Sequence, residues 1–480
     1  MKNEINELID TVYGEASQLS LLMETAGDGI EEALRVALVV NPAQYDLECR
    51  KKALEIVIML VKESSLSIQR RWGMLWNAVF IQFTSDEYDE YKTNIRKAYT
   101  QILNEIEWKC PPVSGVAEDR DDSKRPIVIV TDQFLGEGHA PTRSALDYAE
   151  TIYRCFDIPV FILNAADTHV ETTWMGMSYI IEFNGITEYI YKGVKIPFFQ
   201  ARKVMPDYEE ITGIVNMIRE KKPRLVINVG DCSIVADMCR RFVKTVCIPC
   251  VMDVPVSASE YLVVSRDPLP EDDTISKSLL KYQKIVYSHY NYKYPEVQTK
   301  RYKREDFQLP ETAFVMVVVG NRLDFEMDDA FLQMVGKLME TNEDAYFMII
   351  GKVQNKVKIE KNIKDTKRIR YAGYVPASGE CVRITDVYLN PRRVGGGRSA
   401  FEALHYGVPV ITLRYGDVNG ACGEEFAVED YTEMHQQLER YMRDAEYLQE
   451  MKERAEKRAH ILMDMEGTFR KLFNDLGIYI

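Results

Sequence analysis

No apolar run in this chain approaches the ~20 residues that a membrane-crossing helix needs. Runs such as Phe314–Val319 and Val408–Leu413 have the length of buried strands instead. The opening MKNEINELID carries no apolar stretch after its first lysine, so no secretory signal is expected. Positive charge is in short supply: 60 Lys and Arg face 74 Asp and Glu, for a net −14. That balance lacks the electrostatic footprint of a nucleic-acid binder, although a small phosphate-bearing ligand needs only one local basic pocket. The nine cysteines are scattered. Cys247-Ile-Pro-Cys250 is formally a CxxC, but it has no second pair and no histidine at zinc-site spacing, so reduced core thiols of a cytosolic protein are expected. No internal repeat is evident in the helical N-terminal region. The expected location is the cytoplasm, with peripheral attachment at a membrane through that region left open.

What is present is organised in three stretches. Residues 1–110 are helical in pattern: Leu8, Ile9, Val12 and Tyr13 recur at helical spacing, as do Leu54, Val57, Ile58 and Val61. Trp72, Leu75, Trp76 and Phe80 add a strongly apolar face, which reads either as packed core or as a surface for a second copy or a partner. Residues 111–126, with prolines, a glycine and a charge cluster, read as a linker. Residues 127–300 then alternate strands (127–131, 159–163, 225–229, 246–251) with helices (142–155, 207–220, 232–243). Hairpin chemistry appears at Asn184-Gly185 and Lys192-Gly193. Residues 307–480 alternate again, with strands at 314–319, 346–350, 369–371, 387–389 and 408–413 and closing helices from 431 to 474. Two such blocks predict an α/β chain with two Rossmann-like doubly wound domains, an N-terminal one and a C-terminal one, facing a cleft and preceded by an all-helical region.

In open parallel sheets ligands bind beyond the carboxyl ends of strands, so the loops there carry the candidate chemistry. The richest is Asp386-VYLNPRRVGGGRSAFEALHYGVPVI-Thr412. A strand ends at Asn390-Pro391, then Gly395, Gly396 and Gly397 open a helix. Glycines at a helix start let backbone N–H groups approach an anion, and the helix dipole favours negative charge there. Arg398 and Ser399 add donors, and Glu402, one turn on, is placed to accept from a ribose diol.

This run resembles the donor-site signature of GT-B glycosyltransferases, especially glycosyltransferase family 4 (glycosyl transferases group 1). There a Glu-x7-Glu motif with embedded glycines precedes a Gly-x-Pro-Val strand. Gly395, Gly397, Glu402 and Gly407-Val-Pro409-Val match it, while Val394 stands where the family has its first Glu. Upstream, Gly320-Asn321-Arg322-Leu323 resembles the turn whose Arg pairs with the donor diphosphate, and Met327 stands near the family's usual Lys. Gly351-Lys352 resembles the turn after the next strand, where Lys352 could supply the positive charge. Tyr371-Ala-Gly373-Tyr374-Val375 resembles the segment that reads the nucleotide base. The small residues before the helix also resemble the loop of inverting protein O-GlcNAc transferases, so retention and inversion both stay open.

In the N-terminal block, Asp132-QFLGEGHAPTR-Ser144 follows the first strand. The resemblance implies that this loop faces the donor. Gly136 and Gly138 supply freedom, and His139 is a candidate acid/base or hydrogen-bond donor, against the simpler reading of a helix-capping residue. Asp231 or Ser233 reads first as the cap of the next helix. Segment 253–261 is expected to line the same side, and His169 and Glu171 receive no role.

The resemblance implies transfer of a sugar, UDP-linked by preference, from a nucleotide-diphosphate donor to a hydroxyl of a glycan, a lipid-linked sugar or a protein. His139 and Glu402 are the candidate catalytic residues; no cofactor and no metal are implied. Two other readings stay open. One is a catalytically silent GT-B protein that serves as a binding partner or scaffold, and the other is a sugar-nucleotide 2-epimerase.

Overall fold

The computed structural model describes residues 2–110, 125–174, 179–252, 254–268, 279–293, 300–376 and 378–478. The linker segment 111–124 and Asp253 lie outside them. The chain divides into two compact units. The first comprises Met1–Val264, Leu269–Val286 and Phe469–Ile480, and the second Ser265–Pro268 and Tyr287–Thr468. The division differs from the sequence boundaries in two ways: the helical region shares a unit with the first sheet, and the last twelve residues return to that unit instead of ending the 307–480 domain.

The helical region is built from α1 (Lys2–Gly14), α2 (Leu19–Arg35), α3 (Leu47–Lys62), α4 (Ile68–Thr84) and α5 (Lys92–Lys109). Side chains of Asp46 and Ser67 accept from Cys49 N and Arg70 N and so start α3 and α4. The apolar face of α4 is core: Trp72 and Leu75 are fully buried and Trp76 nearly so. Its burial reaches beyond the helical region to the helices and loops that flank the first sheet, because one hydrophobic cluster runs from Val57, Trp72 and Tyr99 to Met205 and to Ile234 and Met238 of the helix Ile234–Cys239. Of the two readings of this face, packed core is the one realised. Polar contacts lock the same seam. Trp72 Nε1 donates to the Asp167 carbonyl at 2.7 Å, and Tyr99 OH donates to Asp237 at 2.5 Å.

The first unit's sheet comprises β1 (Ile127–Thr131), β2 (Val160–Asn164), β3 (Glu188–Tyr191), β4 (Val194–Gln200), β5 (Leu225–Val229), β6 (Thr245–Ile248), β7 (Tyr261–Val264) and β8 (Lys284–Tyr287). Its order is β3-β4-β2-β1-β5-β6-β7-β8. Strands β4, β2, β1, β5, β6 and β7 run parallel, and β3 joins only as the antiparallel arm of a hairpin on β4. Residues 127–131 and 225–229 are buried throughout, as expected of strands covered on both faces. Three expectations are corrected. Lys192-Gly193 turns a hairpin, whereas Asn184-Gly185 follows a 3-10 turn, Ile181–Phe183, and no strand lies between β2 and that turn among the described residues. Strand β6 stops at Ile248, since Pro249 has no N–H to continue a ladder. The helix expected over 232–243 covers only Ile234–Cys239, after which Phe242 N and Val243 N both turn back to the Cys239 carbonyl.

The second unit holds β9 (Phe314–Val319), β10 (Ala345–Ile350), β11 (Ile369–Gly373), β12 (Val387–Leu389), β13 (Val410–Leu413) and β14 (Ala427–Val428) in the order β11-β10-β9-β12-β13-β14, all parallel. Written by sequence, that is the 3-2-1-4-5-6 order of a dinucleotide-type fold, whose strand order reverses between β9 and β12. Helices Asp329–Thr341, Gly397–His405, Tyr431–Arg443 and Ala445–Met463 flank it. No helix among the described residues is long and apolar enough to cross a membrane.

Candidate functional site

The loops after β9 and β12 flank the switch point of the second sheet, the crevice where such sheets take ligands. The ends of β9, β10 and β11 are drawn together there by backbone. Gly320 N donates to the Ile350 carbonyl at 3.0 Å, and Gly351 N to the Gly373 carbonyl at 2.8 Å. Gly351 has φ +129° and packs so tightly on Gly320 that an added β-carbon would overlap the Gly320 carbonyl oxygen. Gly396 caps the helix Gly397–His405 with φ +111°. The glycines therefore serve close approach as well as turning.

Arg322 leans over this turn: its Nη2 lies 3.2 Å from where a β-carbon of Gly395 would stand. The structure thus gathers Gly320, Arg322, Gly351 and Gly395–Gly397 at one end of the sheet. Ser399 is nearby, but its hydroxyl is occupied by the Gly396 carbonyl and by Tyr388 OH, each at 2.9 Å. Glu402 accepts from Ser378 Oγ at 2.8 Å and lies 3.6 Å from Arg398 Nε, so its carboxylate is held one helical turn behind the glycines. Asn321, Lys352 and Tyr374 are exposed on the rims of neighbouring loops, and the structure shows no contact joining Lys352 to the glycine turn. Met327, near the place of the family's lysine, is buried in the core.

The residue that sequence reasoning passes over is Arg393. An arginine entering a glycine-rich loop reads as solvated, yet its side chain is 3% exposed. Its Nε donates to Asn390 Oδ1 at 2.7 Å, its Nη1 to the Val319 carbonyl and Glu326 Oε2, each at 2.9 Å, and its Nη2 to Tyr388 OH at 2.7 Å. It ties the end of β9 to the end of β12, and β-carbons placed on Gly320 or Gly396 would fall 2.7 and 2.8 Å from it. A fixed guanidinium directly beneath a helix start adds to the positive potential there. The only legible hint is the Arg392-Arg393 pair directly after a strand.

In the first unit the corresponding switch point lies between β1 and β5. His139 caps the helix Ala140–Phe156, and its Nδ1 lies 2.9 Å from Thr142 Oγ1, which also accepts from Leu135 N. Burial first, and Arg143 second, lower its pKa to about 4. The imidazole is then neutral at pH 7 and weakly basic, which suits donating a hydrogen bond better than taking a proton. Gly136, at φ +81°, and Gly138 shape the turn before it. Ser233 caps its helix as expected, while Asp231 accepts from Val256 N at 2.7 Å.

Three further carboxyls lie behind these loops. Asp132 and Asp167 are buried, and burial pushes both upward, Asp167 to about 8. Asp237 accepts from Tyr99, Ser257, Ala258 and Ser259. Asp167 ionises near 4 when unfolded but holds its proton to about 8 in the fold. Between those values the unfolded state binds fewer protons. Stability is therefore full below pH 4 for this group and declines as pH rises toward 8, by up to about 1.4 kcal/mol per unit. Asp167→Asn, uncharged throughout, should melt progressively higher than the parent as pH goes from 5 to 8. Parallel melting curves of the two across that range would contradict this.

Comparison with known proteins agrees with the architecture. Residues 299–458 match the family model described as glycosyl transferases group 1. An O-GlcNAc transferase mutant from Thermobaculum terrenum superposes with a TM-score of 0.53 at 13% identity, covering 100% of this chain and 97% of that one. Alr3699/HepE from Anabaena, solved in complex with UDP, gives 0.52 at 10% identity, covering 74% and 100%. A glycosyltransferase from Rickettsia africae gives 0.52 at 11% identity, covering 73% and 97%. No curated protein sequence matches. The fold is GT-B, with a helical region before it, and the second unit carries the segment matched by the glycosyl transferases group 1 model.

Proposed function

We propose that this GT-B chain is a glycosyltransferase that takes a sugar from a nucleotide-diphosphate donor held at the switch point of the second unit and passes it to an acceptor hydroxyl. The observation that carries this reading is the meeting of Arg322, the buried Arg393 and the glycine turn Gly395–Gly397 at a helix start. When the bond from the sugar's anomeric carbon to the diphosphate breaks and one to the acceptor oxygen forms, negative charge grows on the departing phosphate, which can take up the proton that the acceptor hydroxyl loses. Preset cations and backbone N–H groups stabilise that charge without reorganising. Glu402, fixed by Ser378 and Arg398, is placed to accept from a ribose diol. The UDP carried by the Anabaena structure favours uridine as the base, and the acceptor is a hydroxyl of a glycan, a lipid-linked sugar or a protein.

Val394, in place of the family's first Glu, favours a second reading, in which the site holds a donor without transferring from it. Incubation with UDP- and GDP-sugars, following release of the free nucleotide, separates the two. The transferase reading expects slow release without acceptor, cut at least tenfold by Arg322→Ala. Glu402→Ala should weaken donor affinity by about tenfold or more, the worth of a hydrogen bond to a charged group. Donor binding with no release from any sugar conjugate would favour the second reading; variants equal to the parent would contradict this placement of the site.

A further inference from the structure

Glu326, the last residue of the short helix Leu323–Glu326, divides its carboxylate between two cations. Its Oε1 pairs with Arg322, 3.0 Å from Nη2 and 3.1 Å from Nε, and its Oε2 pairs with Arg393 Nη1 at 2.9 Å. The two guanidiniums differ in exposure. Arg393 is buried and bonded to three acceptors besides Glu326, whereas the Arg322 side chain is 54% exposed. An exposed ion pair is weak enough to exchange partners, while removing one member of a buried pair strands the other. One carboxylate thus pairs with two cations, and the pair with the exposed Arg322 is the one an anion from solvent can reach.

We propose that Glu326 is the internal counter-anion of the diphosphate site. In the empty protein it holds Arg322 over the glycine turn, and it yields Arg322 to an incoming diphosphate while keeping Arg393 in place. A phosphate and a carboxylate use the same face of an arginine fork, so they compete for it. Glu326 therefore lowers donor affinity and eases product release, acting as a positioning residue that touches no substrate. Arg393, entering from β12, supplies the second cation where buried Met327 does not. The proposal rests on the donor-site reading above.

The test is calorimetric titration of the full chain with UDP and with inorganic pyrophosphate, for the parent, Glu326→Gln, Arg322→Ala and the double variant. The glutamine keeps an amide oxygen for Arg393, but its NH2 accepts nothing from Arg322. Glu326→Gln should bind both ligands roughly three- to fivefold tighter, the scale of one exposed ion pair. That gain should vanish on the Arg322→Ala background, a dependence that a merely structural role would not show. Glu326→Asp keeps the charge but is a methylene too short to span both cations, so it should shift binding in the same direction and decides the matter if the glutamine variant does not fold. A parent that binds UDP while both variants bind it equally or more weakly overturns this proposal alone. A parent that binds neither ligand overturns the donor-site reading and this proposal with it.

Discussion

A chain beginning at residue 125 is expected to yield no soluble, cooperatively folded protein. The helical region reads in sequence as an appendage, but it shares a core with the helices and loops that flank the first sheet: Trp72 and Tyr99 belong to the same cluster as Met205, Ile234 and Met238. Burying one large apolar side chain is worth about 1.5–3 kcal/mol. Uncovering Met205, Ile211, Ile234 and Met238 together costs about 6–12 kcal/mol, comparable to the 5–15 kcal/mol by which a typical domain is stable. The cut also strands polar groups. Asp237 loses Tyr99, the Asp167 carbonyl loses Trp72 Nε1, and Arg240 loses its ion pair with Glu107. Gly73 shows how close the seam is, since a β-carbon there would lie 2.7 Å from the Thr172 carbonyl oxygen. Size exclusion and a thermal melt of the truncated chain check this. A monodisperse species with the parent's melting temperature would mean that the helices are a detachable module.

Gly351→Ala is expected to damage the donor site more than any exposed charge substitution. The residue has φ +129°, and its β-carbon would overlap the Gly320 carbonyl oxygen. The ends of β9 and β10 must then separate, which moves Gly320 and Arg322 away from the glycine turn. Strain of this kind costs about 2–4 kcal/mol, and affinity for a nucleotide diphosphate should fall at least tenfold. Gly193→Ala, in the β3–β4 turn of the first unit, is the internal control: its φ is +76°, and nothing lies within 4 Å of the added carbon. It should cost about 1–2 kcal/mol and leave binding within a few-fold. Equal effects from the two would mean that the close approach of β9 and β10 does not shape the site.

The alternation of strands and helices was legible because fully buried parallel strands such as 127–131 and 314–319 are continuous apolar runs, and the glycines around them mark turns. The donor loop was legible for the same reason: Gly395–Gly397 and Gly351 are backbone requirements, and backbone requirements show in sequence. What stayed hidden depends on tertiary packing. Nothing near Arg393 in sequence tells that its guanidinium is buried, because two of its four partners, Val319 and Glu326, lie about seventy residues upstream. The Trp72 face could be read as core or as a docking surface until Asp167 and Met238 were seen against it. His139 reads in sequence as an acid/base, a hydrogen-bond donor or a helix-capping residue, and nothing in sequence tells that burial and Arg143 lower its pKa to about 4. The last twelve residues continue a helical pattern, and pattern alone does not say which unit they join.

The most direct test of the donor-site account is a calorimetric titration of the full chain with UDP beside uridine, repeated with GDP and with the sugar conjugates of both. Saturable one-to-one binding of a nucleoside diphosphate is predicted, at least a hundredfold tighter than its nucleoside, because the cations and helix start act on phosphate. Absence of heat with every nucleotide, or equal affinity for uridine and UDP, would contradict a diphosphate site at Arg322, Arg393 and Gly395–Gly397.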